Sequence, residues 1–180
     1  MTTDDKTHPS PDSNQHTTPK SAPSLEMGIK AVGKIPSGLF VITCGPGSMG
    51  TGYLGSWVQQ ISFDPMIVAI AVKPQRWAKQ LIEDHRHFCV NVLGAEDKDL
   101  MKHFARGFAS DTNAFEGIAW HTGKSGVAVL DKSIANIECE WTGDSFQPGD
   151  HLVMAGRVIS GNINYTGKPL THVRTSGKDY

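Results

Sequence analysis

The sequence predicts a mainly β fold, a β-barrel with flanking helices. Three observations lead there. Seven segments of the 180-residue chain are short, apolar and rich in β-branched or aromatic residues. Turn formers separate them, with 19 glycines and 10 prolines in the chain. Only three segments carry helical periodicity, too few for alternating β-α units.

The first helical segment is Leu25–Val32, where Leu25, Ile29 and Val32 share a face and Pro36 stops the run. Leu39–Cys44 (LFVITC) reads as a strand. A glycine-rich loop covers Gly45–Gly55, and Ser56–Phe63 follows as a strand with Trp57, Ile61 and Phe63 on one face. Met66–Val72 (MIVAIAV) is apolar throughout, as a central strand covered on both sides would be. Pro74 suits the first turn of a helix over Gln75–Asp84. Phe88–Leu93 is the next strand. Asp97–Phe108 reads as a helix, with Leu100, Phe104 and Phe108 at i, i+4 spacing. Ile134–Trp141, His151–Ser160 and Leu170–Arg174 complete the strands.

Residues 1–24 differ from the rest. They are rich in Thr, Ser and Pro, and Met1 and Ala22 are their only apolar residues. Such a segment cannot offset its ordering entropy, so a disordered tail over 1–24 is expected, with one domain over 25–180.

The charges nearly balance, 17 Lys plus Arg against 18 Asp plus Glu, which argues against a general nucleic-acid binder. Three cysteines are too few for a disulfide scaffold, and no C-x-x-C is present. No apolar run reaches the roughly 20 residues of a membrane helix. The N-terminus lacks a signal-peptide core. A soluble, cytoplasmic protein is the expectation.

Gly45-Pro46-Gly47-Ser48-Met49-Gly50 spells G-x-G-x-x-G after a strand, with Asp64 downstream. The context fails for a dinucleotide fingerprint. Gly52 and Gly55 interrupt the helix that should follow, and Asp64 precedes the next apolar run instead of ending it. A turn that brings main chain close to a flat ligand is the better reading. His85, His87 and Cys89 would share one face of a strand, but His85 ends the expected helix and no fourth ligand is evident, so no metal site is read. No G-x-S-x-G marks a hydrolase. Cys44, Cys89 and Cys139 sit in apolar strands and read as small core residues.

Several blocks together carry a resemblance. They are Ile35-Pro36-Ser37-Gly38-Leu39-Phe40-Val41-Ile42-Thr43, the run from Ser56 to Pro65, and Phe88–Leu93. Leu100-Met101-Lys102-His103-Phe104, Ile137-Glu138-Cys139-Glu140, Gly149-Asp150-His151 and the ending from Thr171 to Tyr180 follow in order. This order and spacing resemble the flavin reductase-like family, whose fold is an FMN-binding split β-barrel. Among its members the chain most resembles the C-terminal reductase domain of some flavodiiron proteins. The diiron and flavodoxin-like domains of those proteins are missing from these 180 residues. The resemblance therefore implies a free-standing reductase that passes electrons to free flavin or to an acceptor protein.

The family likeness places Tyr53, Leu54, Gly55, Ser56 and Trp57 beside the flavin ring or ribityl chain. The residue types suit this: Thr51, Ser56 and Ser62 offer hydroxyls within a stretch that also holds an aromatic ring. Core packing is the ordinary alternative for Trp57, and a strand-edge hydroxyl for Ser56. The FMN phosphate needs cations or helix-end amides, and Lys73-Pro74-Gln75-Arg76-Trp77 supplies both, unless Lys73 and Arg76 are simply solvated. Lys102, His103 and Arg106 form a second basic cluster, either on the phosphate or on a solvated helix face. The resemblance makes His151 a contact for the nicotinamide or the flavin edge. No acid–base catalyst is expected, because hydride transfer needs none.

The resemblance thus implies an NAD(P)H-dependent FMN reductase acting as a homodimer. NADH or NADPH would be the donor, and FMN is preferred to FAD because no adenine-binding signature is present. The alternative is an FMN-binding electron carrier fed by a protein partner. A pyridoxine-phosphate oxidase of the same barrel type is a further option, against which the Gly-Asp-His block and the C-terminal ending speak.

Overall fold

The computed structural model describes residues 22–178. The expected tail lies outside the described residues as far as position 21. Its last residue, Ser24, belongs to the domain: the Met27 amide donates to its hydroxyl at 3.2 Å, which caps α1 (Leu25–Val32). The chain continues through β1 (Ser37–Gly38), β2 (Phe40–Cys44), a short 3-10 turn at Gly47–Met49, and β3 (Thr51–Gly55). β4 (Val58–Phe63), β5 (Met66–Val72), α2 (Trp77–His85), β6 (His87–Val92) and α3 (Lys98–Ala105) follow. β7 (Trp120–Thr122), β8 (Ala128–Leu130), β9 (Ala135–Phe146), β10 (Leu152–Ile163) and β11 (Thr171–His172) complete it. Among the described residues no helix is long and apolar enough to cross a membrane.

Seven strands form one antiparallel sheet in the order β3-β2-β6-β9-β10-β5-β4. β3 and β4 are consecutive in sequence yet occupy opposite edges. A flat sheet of this order would separate those edges by about 29 Å, at roughly 4.8 Å per strand. The step from Gly55 to Val58 spans at most about 11 Å. The sheet must therefore curl until its edges meet, and it closes as a barrel split between β3 and β4. The Tyr53 hydroxyl of β3 reaches across the split and donates to the Ala71 carbonyl of β5 at 3.1 Å, and the Ala71 amide donates to the Trp57 carbonyl at 3.0 Å, extending the β4–β5 ladder up to the split.

Alternation on β2 divides the core. Ile42 points into the barrel with Phe88, Val90, Ile70 and Met154. Val41 points outward, to a second cluster of Leu93, Leu100, Phe104, Phe115 and Leu130. Asn91 ties the layers: its amide donates to the Val41 carbonyl at 3.0 Å and its carbonyl accepts from the Leu130 amide at 2.9 Å. Gly156 lies at a register shift of β10, and a Cβ there would collide with the Phe88 ring.

The mainly β barrel with three helices is as the sequence predicts, with local differences. The glycine-rich stretch is loop only to Gly50; Thr51–Gly55 pairs with β2 as a strand. β5 is next to the edge, although Val68, Ala69 and Ile70 are buried in succession. β4 begins at Val58, after Trp57, and a register shift between Gln60 and Ser62 breaks its alternation. α2 starts at Trp77, because Lys73–Arg76 closes as a turn in which the Arg76 amide donates to the Lys73 carbonyl at 3.0 Å. β1, β7 and β8 are two or three residues long, too short for a period to register.

Candidate functional site at the barrel split

The split holds a cavity of about 270 Å³. Gly55, Ser56 and Trp57 line it from the crossing segment, Lys73 and Arg76 from the turn before α2, and His151 from the start of β10. Tyr53, Leu54 and Leu39 add apolar wall. A larger cavity of about 600 Å³ adjoins it, sharing Tyr53 and Arg76 and reaching Thr51, Trp77 and Arg106.

Ser56 is the informative residue. It is 3 % exposed, and among the described residues its Oγ is the only buried side-chain nitrogen or oxygen without a hydrogen-bond partner. A buried orphan hydroxyl costs about 1–3 kcal/mol unless a ligand satisfies it. The crossing segment leaves it no choice: Gly55 ends β3, Val58 begins β4, and Ser56 must bridge the split facing the cavity. The site thus combines an unsatisfied hydroxyl, aromatic walls and two cations. That set fits the ring and phosphate of a flavin mononucleotide.

The cations are placed by local structure. Pro74 fixes a turn that brings Arg76 back, with its guanidinium 5.2 Å from the centre of the Tyr53 ring. No side chain caps α2, so its first amides add to the positive potential beside Trp77. His151 meets Trp57 edge-on, with ring centres 4.7 Å apart and planes at 64°. Its Nδ1 lies 2.9 Å from the Asp150 carboxylate. The bond from His151 holds the Asp150 carboxyl below its ordinary value, and nearby Lys73 contributes less.

Two predicted residues lie elsewhere. Ser62 sits toward the far end of β4, opposite Ile67 and about 20 Å of strand beyond Ser56, outside both cavities. His103 turns into the second core cluster: its Nε2 is 2.8 Å from the Ala114 carbonyl and its ring packs against Phe104 and Phe108. Arg106, its neighbour in the basic cluster, does line the larger cavity. Leu39, Ala71, Val72 and Ala105 line the smaller cavity without any local sequence signal.

The glycine-rich turn is positioned by Glu138. This side chain is 4 % exposed and accepts from the Ser125 amide at 2.7 Å and the Lys124 amide at 3.2 Å. Burial pushes its carboxyl up, but the bonds from Ser125 and Lys124 prevail and hold it below the ordinary value. The hairpin it anchors offers the Gly126 carbonyl to the Gly47 amide at 3.0 Å. Gly45 and Gly47 have φ of 81° and 46°, and no long helix follows them, unlike a dinucleotide fingerprint.

All three cysteines are buried and unpaired. Burial raises their thiols, that of Cys139 to about 12, so none presents a thiolate nucleophile. His85 ends α2, while His87 and Cys89 belong to β6. Among the described residues no group of three His, Cys, Asp or Glu side chains is placed to hold a metal ion.

Comparison with known proteins agrees with the geometry. A protein of Nostoc sp. strain PCC 7120, provisionally named diflavin flavoprotein A 1, is 36% identical over 153 residues, 84% of this chain and 26% of its own length. Diflavin flavoprotein A 1 of Synechocystis sp. strain PCC 6803 is 31% identical over 164 residues, 89% of this chain and 28% of its own. The chain thus spans about a quarter of these relatives. The NADH:FAD oxidoreductase SgcE6 of Streptomyces globisporus superimposes with a TM-score of 0.74 at 25% identity, covering 83% of this chain and 87% of the other. The barrel of this chain is therefore the flavin reductase split barrel. The profile of the flavin reductase like domain matches residues 32–179, nearly all of the folded chain, and the protein belongs to that family of oxidoreductases.

Proposed function

We propose that this protein is an NAD(P)H-dependent FMN reductase that delivers electrons to free flavin or an acceptor protein. The observation that carries this is the orphan Ser56 hydroxyl, buried in a cavity that also presents Lys73 and Arg76. A bound FMN would supply the redox chemistry, acceptance of a hydride from a dihydronicotinamide. Lys73, Arg76 and the first amides of α2 hold the phosphate. Ser56 donates its hydroxyl proton to the polar edge of the ring system. Trp57 and His151 form the wall against which the nicotinamide is oriented, and the Asp150 carboxylate fixes the imidazole. No residue has to move a proton in the transfer, because the hydrogen travels with its electron pair. Titration with FMN tests the reading: quenching of flavin fluorescence at one FMN per chain supports it, and no binding overturns it.

A second reading, FAD in place of FMN, is favoured by the adjoining 600 Å³ cavity with Arg106 on its wall. SgcE6 is named for FAD and has been solved with NAD and FAD fragments, again at a TM-score above 0.7. Relative affinity for FMN and FAD decides between them.

We further propose a homodimer. An apolar groove of about 810 Å³ runs along Phe40, Val58, Met66, Val158 and Ile163, and Phe63 beside it is 85 % exposed. A second copy would cover this surface. The three unpaired thiols support a reducing, cytoplasmic setting.

A further inference from the structure

Arg174 approaches the site from the segment that follows β11. The segment after β11 is pinned to α1. The Arg174 amide donates to the Gly33 carbonyl at 3.0 Å, and the Gly177 amide to the Ile29 carbonyl at 2.7 Å. A Cβ on Gly33 would stand 2.6 Å from the Ser176 backbone, so the two segments touch main chain to main chain. β11 is meanwhile paired with β1, with His172 opposite Ser37. These bonds fix where Arg174 starts. Its half-buried side chain ends with the guanidinium 5.5 Å from the centre of the Trp57 ring. Trp57 is the wall residue that His151 meets edge-on.

Resting on the reductase reading above, we infer that Arg174 binds the phosphate-bearing part of the nicotinamide nucleotide and so determines which hydride donors are accepted. The flavin phosphate already has Lys73 and Arg76, on the turn before α2. A donor whose nicotinamide lies along the Trp57–His151 wall brings a second anionic group, its pyrophosphate, which needs a cation of its own. Arg174 presents its charge over the Trp57 ring. Arginine suits the task because its planar fork pairs with phosphate oxygens two at a time and stacks on an aromatic face.

The test uses the flavin-loaded protein and two oxidised ligands, NAD+ and nicotinamide riboside, which lacks phosphate. Binding is measured by calorimetry for the wild type, Arg174→Gln and Arg174→Lys. Loss of one charge-assisted contact should weaken NAD+ about tenfold in Arg174→Gln. The riboside should stay within about twofold, and Arg174→Lys should recover part of the NAD+ affinity. Equal losses for both ligands would make Arg174 only a packing partner of Trp57 and overturn the inference. So would unchanged NAD+ affinity, or no NAD+ binding by the wild type. Flavin uptake is read separately by fluorescence. Wild-type protein that takes up no flavin would overturn the reductase reading and this inference together.

Discussion

Tyr53 and Ala71 lie on strands β3 and β5, near opposite ends of the sheet, yet the Tyr53 hydroxyl donates to the Ala71 carbonyl at 3.1 Å. The same residue's amide donates to Trp57. Ala71 thus receives the chain on both sides of the barrel split, and the site is built on that closure. Tyr53→Phe keeps the ring under Arg76 and removes the bond. Stability should fall by about 1 kcal/mol. FMN should dissociate faster, as stopped-flow displacement would show; an unchanged rate would mean that the bond does not hold the site together.

Ser56→Ala should act with opposite sign on folding and binding. It removes an unsatisfied buried hydroxyl, so the flavin-free protein should be equally stable or more stable in denaturant. FMN affinity should fall by about tenfold, one neutral hydrogen bond at the site. A loss of stability without flavin would show that the hydroxyl already has a partner.

Lys73→Ala combined with Arg76→Ala should weaken FMN by at least about tenfold, through lost charge-assisted bonds. Riboflavin, which has no phosphate, should change much less. Equal losses for the two flavins would contradict the phosphate assignment.

Glu138→Gln should change the response to acid. The Glu138 carboxyl is held below the ordinary value of 4.5. Its stabilisation is therefore complete above about pH 4.5 and is lost as pH falls through the lower folded value. At neutral pH the variant should be less stable by about 1–3 kcal/mol, since weaker bonds replace those of a carboxylate. Its denaturation midpoint should also depend less on pH below that point. Parallel curves for the two proteins would rule out Glu138 as a source of acid sensitivity.

Much of this site was legible because the chemistry is local. Ser56-Trp57 follows a glycine-rich strand, and Lys73-Pro74-Gln75-Arg76 follows an apolar one, so composition changes where the barrel delivers its loops. Closure across the split was not legible, since it depends on which strands pair over the whole sheet. Leu39 and Ala105 reach the site only through that closure, and Arg174 comes to Trp57 through the pinning of the last segment to α1. His103 shows the converse: a basic cluster on a helix suggests phosphate, but the ring is turned to Ala114 and two phenylalanines. Ser62 lies apart from both cavities, since hydroxyl content says nothing about distance along a strand.

The decisive measurement is an anaerobic absorption spectrum of the FMN-loaded protein before and after adding NADH, then NADPH. The flavin band at about 450 nm should bleach with at least one nucleotide, as the proposed site at Ser56, Lys73 and Arg76 requires. A band that persists with both would contradict the reductase reading and leave an FMN carrier fed by a protein donor.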